Sequence, residues 1–456
     1  MEGLASWPAR RSGAGTMTYS LTAPLSTVDP LMADLLAREH ERQAASLHML
    51  APSMLVSRAV QECVSSPLSN LDGEGYVDCG TDLPGIEAYE SSYRHVGSRK
   101  YNPSGPVAEY VELLARDRLA RLFGSSELHV NVHPAAGSVA NYAVFRGLLG
   151  RDGRVVALAP TAGGHLSHGT PIHATGMEYD VRQVGFDADT EALDPEAVAE
   201  LAHEHRAEMV IIGASSFPRR IVWRALADAL GRLSPKPLLV ADIAHFAGLV
   251  PTGAYDNPLP WADVVTMVGY KTLGGPKSGI IISRSADVGR RIERALFPGL
   301  QGAPRLAEIA ALGTAAHIAT TPGYHEMISR AVALAAALEC ELRVHGRQPA
   351  FGGTDTHMLV LHRLPGATRI AAHLEHLGLL LNANMVPGDR NPSAASGLRL
   401  GTVALAQLGF TENDAPELAQ LLTWAIDATD ADLEASDRVR REVRELLSTL
   451  NTVKGT

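Results

Sequence analysis

The sequence predicts an α/β fold, with a mainly parallel sheet covered on both faces by helices and a smaller α+β portion behind it. Three observations carry this prediction. Short β-branched runs at Arg154 to Ala159, Met209 to Gly213, Leu238 to Ala241, Val264 to Val268 and Gly279 to Ser283 alternate with Ala- and Leu-rich stretches such as Asp194 to His205 and Trp223 to Arg232. From about Thr320 the pattern changes to a long Ala/Leu helix, strand-like Met358 to Leu361 and Leu379 to Leu381, and closing helices at Asp414 to Thr429 and Ser436 to Thr449. The 456 residues also exceed what one hydrophobic core usually fills, so a large and a small domain are expected.

Taken in order, the first 17 residues hold Arg10 and Arg11 without a following apolar stretch, so they read as a disordered leader rather than a secretory signal. Met17 is an alternative start. From Asp29 to Gln43, Leu31, Leu35 and Leu36 stand among charged residues behind an Asp-Pro cap, the pattern of an amphipathic helix. We assign 1–68 to leader and N-terminal arm, 69–318 to the large domain and 319–456 to the small one.

Composition narrows the function. An apolar fraction of 46% with 20% charged residues is that of an ordinary globular protein, and no apolar run approaches a membrane span. A net charge of −10 with no basic run argues against a nucleic-acid partner, because nothing offsets phosphate repulsion. Cys63, Cys79 and Cys340 form neither a CxxC pair nor a disulfide framework, which fits a reducing cytoplasm.

The chemistry concentrates between Leu238 and Ser283. Asp242 ends one apolar strand, His245 follows three residues later, and Lys271 follows a second strand in a loop rich in Gly and Pro. Singly, such an Asp is usually a cap and such a Lys is usually solvated. Together they suit pyridoxal 5'-phosphate: Asp242 keeps the pyridine nitrogen protonated, and Lys271 holds the aldehyde as a Schiff base. Ala136-Gly137-Ser138 opens a helical pattern, where backbone N–H groups, the helix dipole and the Ser138 hydroxyl can take the phosphate; a plain N-cap is the competing reading. His165 and His168 at metal-ligand spacing lack a third ligand nearby, so no metal is expected.

The segments ADIAHFAGLV and YKTLGGPKSG resemble the cofactor site of the serine hydroxymethyltransferase family. EGY at Glu74, AGSVANYAVF at Ala136, AGGHLSHGTP at Ala162, FPGLQGAP at Phe297, GGTDTH at Gly352 and SGLRLGT at Ser396 match in the same order, over about Asp29 to Asp427. The resemblance implies a fold-type I enzyme whose large domain holds a seven-stranded, mainly parallel mixed sheet. It implies that His165 stacks on the cofactor, that Ser216 and His245 lie near the ring oxygen, and that Gly302 reaches the phosphate from a second subunit of a homodimer. It further implies that Arg399 grips the substrate carboxylate, a role a guanidinium fork suits, although a buried ion-pair partner would look the same. Glu74 would handle the proton of the hydroxymethyl oxygen, with Tyr101 beside the substrate and Asn384 near a folate.

Departures fall on the substrate side. Pro52-Ser53-Met54 replaces Ser-Glu-Asn, Asp72 and Asn102 replace tyrosines, Tyr270 replaces the histidine before the lysine, and Val77 to Val96 is inserted. The expectation is therefore an active amino-acid enzyme that makes or breaks a Cα–Cβ bond in aldol fashion, with folate or an aldehyde as acceptor and an altered pocket. The alternative is β-elimination or decarboxylation-coupled deamination of an S-substituted cysteine conjugate, as in natural-product pathways.

Overall fold

The computed structural model describes residues 21–78, 83–93, 99–187, 190–389, 394–428 and 432–453. The leader, Cys79 and parts of the 77–96 insertion lie outside them. Two compact units are present, one ending at Ser46 and the other running from Leu47 to Thr456.

In the first unit, α1 (Leu25–Val28) leads into α2 (Pro30–Ala44). Asp29 caps α2 by accepting the Met32 N–H at 3.0 Å, and Pro30 at the first helical position needs no amide partner. Leu31, Leu35 and Leu36 are exposed.

The second unit begins with β1 (Leu47–His48) and then carries the hairpin strands β2 (Gly75–Tyr76) and β3 (Arg99–Lys100). The large sheet follows: β4 (His129–Asn131), β5 (Arg154–Leu158), β6 (Asp180–Val184), β7 (Met209–Ile212), β8 (Leu238–Asp242), β9 (Val264–Val268) and β10 (Gly279–Ser283). Its order is β4-β10-β9-β8-β7-β5-β6, and only β10 runs antiparallel to its neighbours. This is the expected seven-stranded, mainly parallel α/β sheet. Alternate residues feed opposite cores: Leu239 and Ala241 of β8 join the cluster that includes Leu226 and Leu230, whereas Val240 joins Phe145, Val144 and Ile292. Burial on both faces makes these strands apolar throughout. The two strands that the sequence concealed, β4 and β6, are a three-residue strand and a polar edge strand of which only Val184 is buried.

Five further strands belong to the C-terminal part: β11 (Gln348–Pro349), β12 (Met358–His362), β13 (Leu379–Leu380), β14 (Asn382–Asn384) and β15 (Gly397–Gly401). Four of them pair antiparallel in the order β11-β12-β15-β14, while β13 pairs in parallel with β1. A Leu-rich core including Leu334, Leu338, Leu398 and Leu422 fills the space between this sheet and its helices. The closing helices are Ala415–Asp427 and Leu433–Val453. Among the described residues no helix is long and apolar enough to cross a membrane.

Candidate active site

The carboxyl ends of β5, β7, β8 and β9 converge, and Asp242 is the last residue of β8. Gly213, at the end of neighbouring β7, leaves the room: a β-carbon there would stand 2.6 Å from that of Asp242. Oδ1 of Asp242 accepts the Ala244 N–H, and Oδ2 accepts from Asn141 and His168, all at 2.9 Å. Burial alone would raise the Asp242 pKa, but the His168 hydrogen bond and charge, then the Asn141 bond, hold it well below the carboxylate range. The His165 N–H approaches Nδ1 of His168 at 3.4 Å, on the side of the ring away from the Nε2 that meets Asp242. Asn141 in turn receives the Thr266 hydroxyl and donates to Ser167, whose hydroxyl meets Nδ1 of His165 at 2.7 Å.

Lys271 follows β9 in a loop pinned from both sides. The Thr272 hydroxyl donates to the His245 carbonyl at 3.0 Å, and Tyr324 donates to the Thr272 carbonyl at 2.6 Å. Lys271 is buried, and its pKa falls to about 8: burial dominates, Asp242 opposes it and Arg399 adds to it. The histidines around it are neutral. Burial, reinforced by Lys271 and Arg399, holds His245 well below its ordinary pKa and brings His357 to about 4. His165 is likewise lowered to about 4, chiefly by burial.

Arg399 lies in the middle of β15, opposite Asn382 of β14. Nε and Nη2 donate to the Asn382 side-chain oxygen at 3.2 and 3.0 Å, and Nη1 donates to the Ser215 carbonyl. No acidic side chain pairs with it among the described residues, and burial lowers its pKa to about 10. The expected alternative of a structural ion pair therefore has no partner there. A buried guanidinium without a counter-ion is costly unless an anion arrives.

Of the helices α3 (Arg58–Val64), the inserted α4 (Ile86–Ser92), α5 (Pro106–Leu122) and α6 (Gly137–Leu148), α4 packs on α5, α5 on β4, and α6 on β9 and β10. Ala136 caps α6 without a side-chain bond, so the first amides of the helix have no capping oxygen. Gly137 is required by close approach, since a β-carbon there would stand 2.7 Å from Cγ1 of Val268. Ser138 occupies the next position.

A pyridine ring with a phosphate arm fits this arrangement. Asp242 is an ionised acceptor, Lys271 is a depressed-pKa amine, and the start of α6 is an anion cradle. Ser216 Oγ and His245 Nδ1 are buried polar atoms that find no hydrogen-bond partner among the described residues, as atoms reserved for a ligand would.

A second group stands apart. Glu74, Tyr101, Asn102 and Gly302 cluster on the β2–β3 hairpin and the loop after Phe297. The Glu74 carbonyl accepts the Tyr101 and Asn102 N–H groups at 2.9 and 3.1 Å. Its Oε1 lies 3.4 Å from where a β-carbon of Gly302 would stand, and the exposed Tyr101 ring is 6.4 Å from that of Phe297. Among the described residues no hydrogen bond, ion pair or ring contact joins Glu74, Tyr101 or Asn102 to Lys271, Asp242, His245 or Arg399. Tyr270 is half-buried, its ring 5.9 Å from Nζ of Lys271. It borders a cavity of about 690 Å³ lined also by Pro52, Met54, Val56 and Val60.

Sequence reasoning missed Asn141, His168, His357 and Asn382. In the sequence His168 reads only as a candidate metal ligand, whereas the fold turns its Nε2 to Asp242 and sets Nδ1 of His165 against Ser167. No group of three or more metal-binding side chains occurs among the described residues.

The comparisons agree with the geometry. A family model described as serine hydroxymethyltransferase matches residues 25–422. Serine hydroxymethyltransferase 1 of Rhodospirillum rubrum is 36% identical over 435 residues, covering 93% of this chain and 94% of that protein.

Proposed function

The chain belongs to the serine hydroxymethyltransferase family, and from that premise we propose that it makes or breaks the Cα–Cβ bond of a small β-hydroxy amino acid, with folate or an aldehyde as acceptor. Enzymes of this family use pyridoxal 5'-phosphate, which when bound withdraws electrons from the substrate Cα. The observation that carries the reading is the pairing of a buried, uncompensated Arg399 with a Lys271 whose pKa is lowered to about 8.

Each role follows from local chemistry. Lys271 supplies the amine that anchors the cofactor aldehyde. Asp242, kept ionised, would hold the proton of the ring nitrogen, and neutral His165 would pack on the bound ring. Ser216 and His245 offer their free polar atoms to the ring oxygen, and Gly137 and Ser138 with the first amides of α6 hold the phosphate. Arg399 orients the substrate through its carboxylate, and Tyr270 shapes the side-chain pocket. Glu74 moves the proton of the hydroxymethyl oxygen, with Tyr101 and Asn102 beside it.

Because no hydrogen bond, ion pair or ring contact among the described residues joins Glu74, Tyr101 or Asn102 to Lys271, we read the active enzyme as a homodimer in which each chain lends these residues and Gly302 to its partner. The exposed leucines of α2 suit an arm that covers another chain. Cys63 and Cys340 are free thiols, in keeping with a cytoplasmic site of action. The test is release by the holoenzyme of an aldehyde together with glycine from serine and threonine, and together with alanine from α-methylserine. Absence of both products with every substrate overturns the proposal.

A further inference from the structure

We propose that Lys100, held by Glu112, is a positioning residue that fixes where the Glu74 carboxyl stands. The proposal rests on the reading of Glu74 as the proton-handling acid.

Glu74 lies between two glycines in left-handed conformation, Gly73 at φ +60° and Gly75 at φ +87°. Such a segment turns sharply and has no side chains to brace it, so its direction must come from elsewhere. Both flanking peptide groups are held by the strand opposite. The Lys100 ammonium donates to the Gly73 carbonyl at 3.0 Å, and the Tyr101 and Asn102 amides donate to that of Glu74. The fit is close: a β-carbon on Gly75 would stand 2.5 Å from the Arg99 carbonyl oxygen.

The ammonium is itself fixed. The Lys100 and Glu112 side chains are both 0% exposed and meet at 2.8 Å, with Glu112 contributed by α5. The other Glu112 oxygen is 3.1 Å from His133 Nε2 and 3.8 Å from Arg116. The His133 ring stacks on Tyr76 at 4.6 Å, so the same cluster holds the residue after Gly75. A buried ion pair is a weak source of net stability, because desolvation offsets most of the attraction. Its use to grip a main-chain carbonyl next to an acid points to orientation instead.

The test compares Lys100→Arg, Glu74→Gln and the double variant Lys100→Met/Glu112→Gln, which removes both charges so that neither is left unpaired. Each is measured as holoenzyme for cofactor absorbance, thermal midpoint, kcat and KM. The double variant is expected to keep the cofactor and a KM within about two-fold, while kcat falls about ten-fold or more, as a displaced catalytic group requires. Adding Glu74→Gln to it then costs little further, and Lys100→Arg retains most of the turnover. An unchanged kcat in the double variant, where Glu74→Gln alone is slow, overturns the positioning role. A fully active Glu74→Gln enzyme removes the reading of Glu74, and the positioning role with it.

Discussion

His168 donates its Nε2 proton to Oδ2 of Asp242 over 2.9 Å, and Asn141 donates to the same oxygen. The first prediction follows from this shared acceptor. His168→Phe leaves Oδ2 with a single donor, so the carboxylate is less firmly ionised and oriented. A hydrogen bond to a charged group contributes about 1.5–3 kcal/mol, so cofactor retention should fall roughly ten- to hundredfold. Equilibrium dialysis of the cofactor measures this, and unchanged affinity would sink the assigned role.

The second prediction concerns pH. Lys271 has its folded-state pKa lowered from 10.5 to about 8, so the folded apoprotein resists protonation that the unfolded chain accepts. The unfolded state therefore binds more protons between those values, and apoprotein stability rises with pH from about 8 to 10.5. The full difference is on the order of 3 kcal/mol. Lys271→Met should lose this dependence in denaturant titrations. The rate at which apoprotein takes up cofactor should climb through about pH 8 and then level as the free amine becomes the main form.

How much of this was legible depends on whether a residue acts through its place in the chain or through its neighbours in space. The alternation of apolar runs and helices announced the sheet, and Asp242 and Lys271 stood out because each follows its own strand. Asn141 and His168 could not be read so, since one lies inside a helix and the other in a short 3-10 turn, and only the fold brings them to Asp242. Asn382 became visible only through the β14–β15 register, which sets it opposite Arg399.

Arg399 supplies the third prediction. A buried guanidinium that among the described residues bonds Asn382 and Ser215 and meets no acidic side chain should gain more from a ligand carboxylate than an exposed one. Alanine should raise the thermal midpoint of the holoenzyme, and alaninol, which lacks the carboxylate, should not. At a hundredfold excess over Kd the stabilisation is about 2.7 kcal/mol. Arg399→Lys keeps the charge but not the fork, so KM for the amino acid should rise by about two orders of magnitude with the cofactor still bound. Equal shifts with alanine and alaninol would remove Arg399 from substrate binding.

The last prediction is that conversion of serine to glycine with tetrahydrofolate is slow. Pro52 has no hydroxyl to offer, and Tyr270 stands where a histidine is expected. The cavity they border exposes mainly apolar surface, from groups such as Met54, Val56, Val60 and Val64, although Gln61, Lys277, Arg305 and Glu308 also line it. A small polar substrate that loses hydrogen bonds against such a wall forfeits about 1–3 kcal/mol for each buried group left unpaired. Two such losses compound to orders of magnitude in kcat/KM, whereas the carboxylate contact with Arg399 is untouched. Serine should therefore bind without being turned over quickly, and Pro52→Ser combined with Tyr270→His should raise the rate by about ten-fold or more. A serine turnover of the unaltered enzyme within the usual ~1–1000 per second would show that these replacements are tolerated and that serine is its ordinary substrate.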